Sequence, residues 1–165
     1  MDIINKKEAK SLIGGFTLIE LIIAICIMAI LMAIAIPSFV QWRQSVQYKQ
    51  AADGILSAMR TAKNNAVTLN MQNRVECNPT ANRYRITQGN KSYNSDTWTT
   101  VKQDWITLPS EVFIKTGDSA GTSDLTIQFS PNGTASDRTV CVNSSASTQY
   151  KIIVTSSGRI RNVKQ

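Results

Sequence analysis

Between Phe16 and Ile36 the chain runs through 21 residues whose apolar character only Thr17 and Glu20 interrupt. As a helix rising 1.5 Å per residue, such a run spans about 31 Å, the thickness of a bilayer core. The carboxylate is the anomaly. A charge within a membrane helix costs on the order of 3 kcal/mol by insertion scales, so Glu20 needs something to offset it.

The flanks of the run decide how it is used. A secretory signal peptide places its small-residue cleavage site after the apolar stretch. Here Gly14 and Gly15 precede it, behind a short polar leader carrying Lys6, Lys7 and Lys10. Cleavage after Gly15 would leave the hydrophobic helix on the mature protein. The leader lysines favour a cytoplasmic leader with the C-terminal part on the far side, although Arg43 and Lys49 reduce the asymmetry.

Past Pro37 the pattern changes but stays helical. Tyr48, Ala52, Ile55, Leu56, Met59, Ala62, Ala66 and Leu69 recur at steps of three and four, the stripe of an amphipathic helix. One helix is expected from about Phe16 to about Asn70, bent at Pro37, with Gly54 tolerated inside it. Beyond Asn73 the period becomes alternating. "RVECN", "RYRITQ", "DWITLP", "EVFIKT", "DLTIQFS", "RTVCVN" and "YKIIVTS" read as short strands between turn residues, with exposed loops at Thr116 to Asp124 and Asn143 to Thr148. The expected class is α+β: a long N-terminal helix packed on one C-terminal antiparallel β domain. The divisions are a leader over 1–15, a membrane or filament-core half over 16–40, an amphipathic half over 41–72, and a β domain over 73–165 ending in a basic tail.

The stretch "GGFTLIELIIAI" resembles the prepilin signal of type IV pilins and type II secretion pseudopilins, with Gly15, Phe16 and Glu20 at the family's spacing. The resemblance implies cleavage after Gly15 by a prepilin peptidase and methylation of the new amino terminus at Phe16. It also implies an answer to the anomaly: in a filament Glu20 would pair with the amino group of Phe16 on an adjacent subunit. The plainer alternative is a signal anchor with a polar residue near its end. "FSPNGTAS" (129–136) followed by "IIVTSSGRIR" (152–161) is similar to the GspH/FimT group of minor pilins and pseudopilins. That implies a type IV pilin-like fold in the inner membrane, with the β domain in the periplasm, partnered by other pilin or pseudopilin subunits. Gly133 suits a turn residue with positive φ and Gly158 a sharp bend; the plainer alternative is that both only connect strands.

Composition bears on chemistry. The chain contains no histidine, P-loop or C-x-x-C pair, which removes the usual Ser-His and Cys-His nucleophiles and the common zinc sites; no enzyme activity and no cofactor are expected. Cys26 reads as a small apolar side chain in the membrane run. Cys77 and Cys141 fall on expected strands beyond the membrane, where an oxidising compartment favours a disulfide contributing about 4 kcal/mol in the chain-entropy model.

The net charge is +7, and no acidic residue follows Asp137, whereas Arg138, Lys151, Arg159, Arg161 and Lys164 do. Arg159 and Arg161, two apart, would project from one side of an extended strand. The tail resembles the Gly-Arg-x-Arg ending of FimT-type minor pilins that bind DNA for uptake in natural transformation, which places DNA contact on Arg159 and Arg161. Lys151 and Lys164 join them by charge and proximity. Such contact would be sequence-independent, micromolar in range and steeply salt-dependent, with a log-log slope of about −3 on duplex DNA. The alternatives are a solvated face, or pairing with acidic lipid or a neighbouring subunit, in a pilin or pseudopilin that serves assembly alone.

Overall fold

The computed structural model describes residues 16–101, 104–117, 124–145 and 147–165. The expected leader, with Gly15, lies outside them, as does most of the loop expected between Thr116 and Asp124. The chain divides into two units, Met1–Gln41 and Trp42–Gln165, and one helix, α1 (Leu18–Leu69), contributes to both.

In the first unit every described residue is exposed, and α1 there is long and apolar enough to cross a membrane, with a mean hydropathy of 3.0. Thr17 starts the helix. Its Oγ1 accepts a hydrogen bond from the Glu20 backbone N–H at 3.2 Å, satisfying one of the donors that a helix start leaves unpaired. Thr17 and Glu20 thus have the Thr-x-x-Glu spacing of a capping box. Pro37 lies within α1 and does not end it.

In the second unit α1 buries Tyr48, Ala51, Ala52, Ile55, Leu56, Ala58, Met59, Ala62 and Ala66. These are the expected stripe with two alanines added and Leu69 removed, for Leu69 is 48% exposed at the helix end. Gly54 has a packing reason: a Cβ there would stand 2.9 Å from the Tyr84 hydroxyl oxygen. Asn70, with φ of 52°, ends the helix in the left-handed conformation that a C-terminal cap favours.

Among the described residues nine strands follow, and they divide the expected β domain into two antiparallel sheets. In the first, β1 (Asn73–Asn78) lies between β2 (Arg83–Gly89) and β6 (Leu125–Phe129), and β3 (Trp98–Thr100) and β4 (Ile106–Thr107) both pair with β2. In the second, the order is β5 (Phe113–Thr116), β7 (Arg138–Asn143), β8 (Thr148–Val154) and β9 (Ile160–Lys164). Val75, Cys77, Ile127 and Phe129 from one sheet and Ile114, Val140, Val142, Ile152 and Val154 from the other share one core with α1. Asn82 links the sheets. At φ 48° its side-chain amide donates to the carbonyls of Pro109, at 3.2 Å, and Val112, while its oxygen accepts from Ile114 N–H at 3.3 Å.

The expected Cys77–Cys141 disulfide is not formed. Cys77 lies in β1 and points into the shared core. Cys141 lies in β7 of the other sheet between the core residues Val140 and Val142, so alternation sends it to the opposite face, where its Sγ donates to the Gly117 carbonyl at 3.2 Å. Both are buried thiols, and burial pushes the Cys77 thiol up to about 12.

Candidate nucleic-acid interface

The two halves of the Phe-Ser and Gly-Arg motifs meet in space. After β6 the chain turns through Gly133, with φ of 85°, whose N–H donates to the Ser130 carbonyl at 2.9 Å. After β8 it turns through Gly158, with φ of 71°, whose N–H donates to the Thr155 carbonyl at 2.8 Å, while Thr155 N–H donates to the Arg159 carbonyl at 3.0 Å. Ala135 N–H joins the turns by donating to the Ser156 carbonyl at 3.0 Å. From the helix, Lys63 Nζ donates to the Gly158 carbonyl at 2.9 Å.

This junction presents the basic hairpin. Arg159, Arg161 and Lys164 are exposed and Lys151 is half-buried. Among the described residues strand β9 pairs only with β8, at an edge of its sheet, in a register that sets Arg161 opposite Ile153, Lys151 opposite Val163 and Lys164 opposite Tyr150. Ile152 and Val154 face the core, so Lys151 and Arg161 share the outer face. Lys164 has the other parity, which separates it from them. The register adds Lys115 of β5, opposite Cys141, which is in turn opposite Lys151. Neither Lys115 nor Lys63 carries a signal in the sequence, because only strand register and helix docking bring them to the hairpin.

The cations fall into two classes. On the outer face of the first sheet, Glu76 bridges Arg74 and Arg85, with Arg85 Nε at 2.7 Å. The Arg74 guanidinium stacks over Trp98 at 3.9 Å, and those of Arg83 and Arg85 over Trp105 at 4.4 and 4.3 Å. Burial raises the Glu76 pKa, but the hydrogen bond from Arg85 and the charge of Arg74 outweigh it, holding this carboxyl below the usual range. By contrast, among the described residues no carboxylate lies within ion-pair distance of Lys63, Arg159, Arg161 or Lys164. Trp98 and Trp105 are therefore committed to the other sheet, and Tyr150 of the hairpin packs partly against the core. Among the described residues no group of three or more metal-ligating side chains occurs.

A long apolar helix opening on Thr-x-x-Glu, continued as an amphipathic helix that packs on antiparallel sheets, defines a type IV pilin-like subunit. Residues 11–36 match the prokaryotic N-terminal methylation motif, and residues 51–158 match the family described as Type II transport protein GspH. The chain belongs to the GspH family. The match stops one residue short of Arg159. No curated protein matched.

Solved structures give the same fold. The minor pseudopilin EpsH of the Vibrio cholerae type II secretion system matches at TM-score 0.60 and 12% identity, over 73% of this chain and 95% of that one. Escherichia coli GspH matches at 0.55 and 11%, over 73% and 89%. The type IV minor pilin FimU of Pseudomonas aeruginosa matches at 0.51 and 15%, over 68% and 85%. At these identities the likeness is one of fold, and it agrees with the match to the GspH family.

Proposed function

We propose that this protein is a minor pilin of the FimT type, placed at or near a pilus tip, which binds extracellular DNA without sequence preference for uptake in natural transformation. The observation that carries this reading is the pair Arg159 and Arg161, exposed at an edge hairpin and without a carboxylate in ion-pair reach among the described residues. Guanidinium groups so placed can each donate two parallel hydrogen bonds to phosphate. Lys151 supports them from the same face, and Lys164 adds charge from the other.

The N-terminal part serves incorporation. A prepilin peptidase cuts after Gly15, Phe16 is methylated, and α1 up to about Val40 holds the subunit in the inner membrane with its β domain in the periplasm. Glu20 then pairs with the amino terminus of a neighbouring pilin subunit, which offsets the cost of its charge among apolar side chains.

A second reading is a type II secretion pseudopilin that initiates or caps its filament without binding DNA, and the description of the matched family favours it. Duplex DNA binding by the full chain in nonionic detergent, over a salt series, separates the two. The DNA reading expects binding that weakens with salt, with a slope of about −3, and is lost in the folded double variant Arg159→Ala/Arg161→Ala. Absence of binding at low salt would leave the pseudopilin.

A further inference from the structure

We infer that Lys63 of α1 is part of the anion-binding surface, as a charge and as the residue that positions the β8–β9 turn; this rests on the DNA reading above. Its Nζ donates to the carbonyl of Gly158, the residue joined to Arg159, across 95 positions of sequence. A carbonyl satisfies one of the three ammonium donors and neutralises no charge. Among the described residues no carboxylate pairs with it.

A part-buried ammonium is an expensive way to fasten a turn. A neutral amide could donate to a carbonyl with less desolvation, so a charge without a carboxylate partner points to an anion at this place. Arg60 lies three residues earlier on α1, exposed and likewise without a carboxylate in ion-pair reach among the described residues. Two like charges at this spacing repel each other in the bare protein, a cost that a polyanion would reverse. The basic surface thus extends from the hairpin onto the helix. The Gly133–Gly158 contact keeps the two together, since a Cβ on Gly158 would meet both the Gly133 carbonyl and, at 3.3 Å, Lys63 Nζ.

The test titrates a fluorescent DNA duplex with the full chain in nonionic detergent over a salt series, for wild type, Lys63→Gln, Lys63→Arg, Arg60→Gln and Arg159→Ala/Arg161→Ala. Lys63→Gln should weaken binding about three- to tenfold and reduce the salt slope by about one, with Lys63→Arg keeping the slope. A role confined to holding the turn would lower the thermal midpoint and leave the slope unchanged. Arg60→Gln, which removes a charge and no turn contact, should also reduce the slope, and it answers the question if Lys63→Gln does not fold. Wild-type slopes in Lys63→Gln and Arg60→Gln, with binding lost in the double arginine variant, would overturn the inference and spare the DNA reading. No binding by wild type would overturn both.

Discussion

Gly158 and Gly133 pack backbone against backbone: both hold positive φ, at 71° and 85°, and a Cβ on Gly158 would collide with the Gly133 carbonyl oxygen. The relationship is one-sided, because a Cβ on Gly133 meets nothing within 4 Å. Gly158→Ala should therefore cost about 3 kcal/mol or more, through strain and forced separation of the two turns, whereas Gly133→Ala should cost about 1 kcal/mol from the backbone alone. Denaturant unfolding of the two variants checks the ranking, and equal losses would contradict it.

Glu76 makes stability depend on acid. Its pKa is lower in the folded protein, so its stabilisation is complete above the ordinary carboxylate value and is lost as pH falls through the folded value. Glu76→Gln should destabilise by roughly 1–3 kcal/mol at neutral pH. The gap to wild type should close as pH falls through the folded pKa of Glu76, where the wild-type side chain also becomes neutral. Thermal melts of both proteins from pH 7 downward measure it.

Cys77 should be inert. With its thiol in the core and its pKa near 12, a thiol-specific alkylating reagent should leave it unmodified in the native protein and label it only in denaturant. A Cys77–Cys141 linked peptide from the oxidised native protein would contradict the placement of the two cysteines.

Trp105 anchors the segment before β4 by stacking with Arg83 and Arg85. Trp105→Ala should lower stability by about 1–3 kcal/mol, from lost packing and two cation–π contacts. Amide exchange should rise first at β4, a strand of two residues.

Glu20 should matter in the filament and little in the isolated subunit, since its side chain is exposed and only its backbone N–H bonds to Thr17. Glu20→Ala is expected to be processed normally yet fail to enter filaments, while Gly15→Ala should leave unprocessed precursor in the membrane. Immunoblots of membrane and sheared-filament fractions check both.

Local rules account for most of the elements of this chain. The span and period of the apolar residues suffice for a helix that becomes amphipathic past Pro37, because burial on one face repeats every three or four positions. Alternation and turn residues likewise mark seven of the nine strands among the described residues. Trp98–Thr100 escaped because three residues carry no readable period, and β9 was legible only as an extended basic tail. Positive φ at Gly133 and a bend at Gly158 are also legible, since each depends on its own residue type. Tertiary structure alone decided the rest. Division into two sheets turned Cys141 away from Cys77, register set Lys164 on the face opposite Lys151 and Arg161, and the docking of α1 brought Lys63 to Gly158. Such contacts join positions far apart in the chain, and the energy that selects them comes from a shared core that no local window contains.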